Sequence, residues 1–118
     1  MDRMRERLRK LHVDGREFAW KAEIRSAPGT DGRRQRYIRV RVWGAGKNSC
    51  VLQADMTELP VPETSEETTY AYPSAAIVRR LVSWGLEAGW TPEKVGGVFR
   101  VSSAVGPTLP GLGLVDLP

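Results

Sequence analysis

The stretch Val40-Arg41-Val42-Trp43-Gly44-Ala45-Gly46-Lys47-Asn48-Ser49-Cys50 gathers a glycine-rich turn, a lysine, a serine and the only cysteine of the chain. A P-loop needs Gly, four further residues, then Gly-Lys-Ser/Thr. Backbone N–H groups then wrap the phosphates, the lysine reaches the terminal ones and the hydroxyl holds magnesium. Here Gly46-Lys47 is followed by Asn48, the hydroxyl of Ser49 comes one place late, and the position five before Gly46 is Arg41. Such a loop must also open a helix whose N-terminus faces the anion, whereas Cys50-Val51-Leu52-Gln53-Ala54 reads as a strand. The spacing predicts a β-hairpin connection, with Lys47 as a generic anion contact.

His12 is the single histidine, so any imidazole base must be this residue. It falls in a strand, opposite Glu17 in the register set by Asp14-Gly15, and a cross-strand surface pair accounts for it. Cys50 as a nucleophile would need a base and an oxyanion hole, and the hairpin supplies neither; a buried small hydrophobe fits better. One cysteine makes neither an internal disulfide nor a zinc site alone. The expectation is a non-catalytic protein with no cofactor and no metal.

The elements that hold these residues fit one domain of 118 residues, long enough to bury a hydrophobic core unaided. No apolar run approaches the roughly 18 residues of a membrane span. No signal-peptide core follows the basic start, which predicts a cytoplasmic protein. Charge is lopsided: residues 1–42 hold 13 Lys/Arg against 6 Asp/Glu, while residues 43–118 hold 5 against 8. A basic front half draws nucleic acid or an acidic protein, or is simply a solvated surface.

Met4, Leu8 and Leu11 allow a short helix or a flexible arm over 1–10. Asp14-Gly15 then joins two alternating runs, a strong hairpin signal. Its register puts Leu11, Val13, Phe18, Trp20, Ala22 and Ile24 on one buried face. Residues 26–34 read as a turn-rich connector. In the next strand Ile38, Val40 and Val42 face one way and Tyr37, Arg39, Arg41 and Trp43 the other. Residues 57–72, with four acids, two prolines and no basic residue, read as an acidic surface loop. It is either solvated or folded back over the basic face.

Ser74 and Gly89 delimit the one clear helix. Its apolar stripe centres on Ile77, Leu81, Trp84 and Ala88, flanked by Val78, Val82 and Gly85, with Arg79, Arg80, Ser83 and Glu87 opposite. Thr91-Pro92 starts a capped turn, Val98–Val101 a last strand, and residues 103–118 a Pro/Gly-rich, flexible or surface-docked tail. The fold class is α+β: an antiparallel sheet of two β-hairpins plus a closing strand, with one main helix packed on one face. The domain spans 1–102.

The pattern Pro73, Val78, Leu81, Gly85, Leu86, Gly89, Trp90, Pro92, Gly97 and Phe99 resembles small bacterial proteins in which a strand-rich front is followed by a "GL..GW.P...G..F" helix-turn-strand. The resemblance implies a β-rich front and a packed helix. It brings no catalytic residue.

Trp20 and Trp84 fall on core faces, and Trp90 is placed to close one end of the core. Trp43 differs, sharing a face with Tyr37, Arg39 and Arg41 beside Lys47. Trp, Tyr and Arg are the usual anchors of protein interfaces. Aromatics between guanidinium groups also suit single-stranded nucleic acid or RNA. The third reading packs Trp43 under another element. The leading expectation is a protein-interaction module of immunity or adaptor type, binding an acidic partner through Tyr37, Arg39, Arg41, Trp43 and Lys47. The alternative is a nucleic-acid binder using the same face.

Overall fold

The computed structural model describes residues 8–28, 32–46, 48–58, 73–104, 106–107 and 112–115. In chain order they form β1 (Arg9–Val13), β2 (Arg16–Pro28), β3 (Arg34–Trp43), β4 (Val51–Glu58), α1 (Ala75–Ala88), β5 (Val98–Val101) and β6 (Leu112–Leu114). The sheet order is β1-β2-β3-β4-β5, and β6 pairs with the end of β4. The α+β class is as expected, an open and mostly antiparallel sheet with one helix. The last long pairing differs: β5 lies parallel to β4. The connection between them contains α1, and a helical crossover is what returns a chain to pair in parallel.

The first hairpin follows from two residues. Asp14 at φ 52° and Gly15 at φ 80° supply the paired positive angles of a two-residue turn whose twist matches the strands. Leu11 stands opposite Phe18, His12 opposite Glu17 and Val13 opposite Arg16, the register the sequence predicts. Alternation then sends Leu11, Val13, Phe18, Trp20, Ile38, Val40, Val42, Leu52, Ala54 and Met56 into one core. Ile24, on the same face, is instead 56% exposed. Among the described residues, β1 pairing ends at the rung Arg9↔Trp20, well before Ile24.

α1 covers this apolar face. Ser74 accepts a hydrogen bond from the Ile77 N–H, and Gly89 closes the helix at φ 110°, an angle that favours glycine. The buried residues are Ile77, Val78, Leu81, Val82 and Gly85. Trp84 is half-buried against Phe99 and Ala88 is exposed, so the stripe is rolled towards Val78 and Val82 from its expected centre. Gly85 explains the roll. A Cβ there would stand 2.5 Å from Leu52 Cδ1 and 3.3 Å from Trp90 Cε3, so the missing side chain lets helix, sheet and indole meet.

Trp90 locks the second end of the core. Its Nε1–H donates to the Cys50 carbonyl at 3.0 Å, and its ring lies 5.9 Å from Phe18. The 94–97 turn also clasps the β3–β4 loop: Cys50 N–H donates to Lys94 O, Gly96 N–H to Asn48 O, and Val51 N–H to Gly97 O. Gly44 sits where a Cβ would come within 2.6 Å of Pro92 Cβ.

Three boundaries differ from the sequence reading. β1 begins at Arg9, so the end of the 1–10 segment is strand. The 103–118 tail contains β6, which pairs Leu114 with Met56. The 26–34 connector is shorter than expected, because β2 runs to Pro28 and β3 starts at Arg34. Backbone pairing from Arg25↔Tyr37 to Pro28↔Arg34 carries that extension, and Pro28 is tolerated at the last rung. Residues 59–72, most of the acidic loop, lie outside the described residues. No helix among the described residues is long and apolar enough to cross a membrane.

Candidate functional site

The sheet has two faces, and α1 occupies only one. On the other, register brings Glu23, Arg39 and Asp55 into one row and Lys21, Arg41, Gln53 and Arg100 into the next. Tyr37 and Trp43 bracket these rows on β3. Sequence alternation therefore places Tyr37, Arg39, Arg41 and Trp43 on the helix-free face, as expected. Lys47 lies outside the described residues.

The row is closed rather than open. Arg39 grips Asp55 with a forked pair, Nε to Oδ1 at 2.8 Å and Nη2 to Oδ2 at 3.3 Å. Asp55 is 4% exposed. Such a charge-assisted fork is a strong and directional hydrogen-bond pair. The Asp55 hydrogen bond raises the Arg39 pKa above its ordinary value, outweighing the desolvation that opposes it. Arg41 donates Nε to Gln53 Oε1 at 3.1 Å, and its Nη1 lies 3.9 Å from Glu23. Tyr37 is 9% and Trp43 8% exposed. Arg39 lies over the Tyr37 ring at 5.7 Å and Lys21 over the Trp43 ring at 5.9 Å, both within cation–π range.

The other chemically suggestive residues stay apart in role. The Gly44–Ser49 loop leads into β4, not into a helix, and Ser49 donates its hydroxyl to the Gly46 carbonyl. It is a hairpin loop. His12 stands 3.8 Å from Glu17, which also pairs with Lys10 on the exposed surface. Cys50 is buried, with its Sγ 4.0 Å from where a Gly97 Cβ would stand. Among the described residues no three His, Cys, Asp or Glu side chains converge as a metal site.

A different surface emerges where β2 and β3 outrun their neighbours. Among the described residues, the rungs Arg25↔Tyr37, Ser26↔Arg36, Ala27↔Gln35 and Pro28↔Arg34 carry no third-strand pairing. They form a two-stranded arm, and residues 24–38 hold Arg25, Arg33, Arg34 and Arg36 against a single acid, Asp31. All four arginines are exposed. Arg34 is fixed across the ribbon, with Nε and Nη2 on Ser26 Oγ at 3.1 and 3.0 Å and Nη2 on the Ser26 carbonyl at 3.0 Å. Arg25 donates to Glu23 at the arm's base.

Turn residues hid this surface in the sequence. The signal that could have found it is the Arg33-Arg34-Gln35-Arg36 cluster directly before the alternating strand. A shallow groove of about 390 Å³ also runs beside α1, lined by Arg79, Arg80, Ser83, Trp84, Glu87 and Pro107. Comparison of the chain with protein-family models, with curated proteins and with solved structures finds no match. The surface itself must carry the functional argument.

Proposed function

We propose that this protein is a small, non-catalytic binding module for an anionic macromolecule, and that the β2–β3 arm makes the contact. The observation that carries the reading is the concentration of exposed Arg25, Arg33, Arg34 and Arg36 at the end of the β2–β3 ribbon. Arg25 is offset by Glu23 at the base, and the excess of Arg33, Arg34 and Arg36 over Asp31 creates a local positive potential that steers a polyanion.

The row of Arg39 and Arg41 supports the arm rather than competing with it. Its guanidinium groups are engaged by Asp55, Gln53 and Glu23. A stacking platform for single strands needs open ring faces, and the burial of Tyr37 and Trp43 favours a role as the arm's rigid base.

Elution from heparin resin tests the reading. The Arg33→Ala/Arg34→Ala/Arg36→Ala variant is expected to elute at distinctly lower salt than the native protein. A charge-matched variant away from the arm, Lys10→Ala/Arg80→Ala/Arg100→Ala, is expected to shift less. Equal shifts for the two variants would mean that only net charge matters, and the assignment to the arm would fall.

A further inference from the structure

We infer that Ser26 and Arg34 together form a donor cluster for a tetrahedral oxyanion, a phosphate or sulfate group of the bound polyanion, an inference that rests on reading the arm as the anion-binding element. Hydrogen-bond accounting comes first. Arg34 donates Nε and Nη2 to Ser26 Oγ at 3.1 and 3.0 Å, and Nη2 also to the Ser26 carbonyl at 3.0 Å. A hydroxyl oxygen has two lone pairs and one proton. With both lone pairs turned to the guanidinium, the capacity left to Ser26 is its O–H, which can only donate. Among the described residues no acceptor takes that proton, and none takes Arg34 Nη1. Both residues are exposed, so these donors face the surroundings of the arm.

Position narrows the class of ligand. Cross-strand partners share a face, so Ser26 lies directly opposite Arg36 and diagonal to Arg34, on the side of the ribbon that carries Ile24 and Ile38. A carboxylate sets both oxygens in one plane, the geometry that a single guanidinium fork satisfies. The Nε–Nη2 edge of Arg34 is such a fork, and Ser26 already fills it. A phosphate or sulfate group instead sets its oxygens on a tetrahedron, so donors approaching in different planes each reach a separate oxygen. The Ser26 hydroxyl and Arg34 Nη1 are two such donors, and the Arg36 guanidinium across the rung adds positive charge beside them. Because Ser26 holds Arg34 in place beforehand, little freedom is lost when the guanidinium meets an anion.

Fluorescence anisotropy of a labelled heparin oligosaccharide bound to the full-length chain is the test, with inorganic polyphosphate and polyglutamate of equal charge as competitors. Polyphosphate is expected to displace the label, and polyglutamate to need about tenfold more. Whichever of heparin and polyphosphate binds more tightly at equal charge identifies the oxyanion as sulfate or phosphate. Ser26→Ala removes the O–H donor and the anchor of Arg34 without changing charge, and should weaken heparin binding about three- to tenfold. Arg34→Lys keeps the charge but loses the fork, and should weaken it as much. Ser26→Thr keeps the hydroxyl and should bind as the native chain does. Polyglutamate competing as well as polyphosphate, or native affinity in both Ser26→Ala and Arg34→Lys, would overturn the inference. If Arg33→Ala/Arg34→Ala/Arg36→Ala loses binding in that case, the anion-binding reading stands without it. Native affinity in the triple variant as well would remove both.

Discussion

The sheet body and the β2–β3 arm are built from the same two strands and the same residue types, yet they handle charge in opposite ways. In the body, register sets a carboxylate or amide beside each guanidinium: Asp55 beside Arg39, Glu23 and Gln53 beside Arg41. From the very next rung onward, residues 24–38 hold four arginines and one acid, Asp31, with Arg25 reaching back to Glu23. Burial accounts for the contrast. A charge flanked by strands on both sides must be matched, because desolvating it unpaired is costly, whereas exposed arginines such as Arg25 and Arg34 keep much of their hydration. Among the described residues, the arginines beside a third strand are gripped by carboxylate and amide partners, and those at the end of the ribbon stand at the surface.

The largest effect on stability should come from breaking the body's compensation. Asp55→Ala leaves Arg39 without its fork and is expected to cost about 3 kcal/mol or more, read as a lower urea midpoint at unchanged slope. Arg39→Met/Asp55→Leu should recover most of that loss, since apolar replacement of a whole buried pair is commonly neutral. If Asp55→Ala were silent, the body would be no more committed than the arm.

Gly85→Val comes next. It forces a side chain into Leu52 and Trp90 and should destabilise by about 1–3 kcal/mol, with loss of the indole environment seen in near-ultraviolet fluorescence. Ser74→Ala should cost about 1 kcal/mol through the lost helix cap, checked by thermal melting.

The smallest stability effect belongs to the arm. Arg33→Ala/Arg34→Ala/Arg36→Ala should move stability by less than about 0.5 kcal/mol per site, as exposed substitutions do, while abolishing most polyanion retention. A large stability loss there would make the arm a structural element instead.

Much of this was legible in local chemistry. Asp14-Gly15 fixes its turn and thereby the pairing of Leu11 with Phe18. The alternation of Ile38, Val40 and Val42 declares the core face, and Ser74 with Gly89 bounds the helix. Trp90 reads as a lid for the core and serves as one. What sequence could not supply was neighbourhood. Nothing in Arg39 or Arg41 alone says that Asp55 and Gln53 will stand beside them, because that depends on how β4 registers against β3. Nor does the period of β3 reveal that Trp43 is covered. The extension of β2 to Pro28 rests on backbone pairing through Ser26 and Ala27, residues with no apolar alternation to announce a strand. β6 was similarly masked by the prolines and glycines around Leu112–Leu114.

The distinction between a closed body and an open arm is tested most directly by mapping backbone amide shifts in a nuclear magnetic resonance titration with a heparin oligosaccharide. The account predicts shifts concentrated at Ile24–Ala27 and Gly32–Tyr37, with Lys21, Arg41, Gln53 and Arg100 little changed. Shifts centred on those four residues of the sheet body, with a quiet arm, would contradict it.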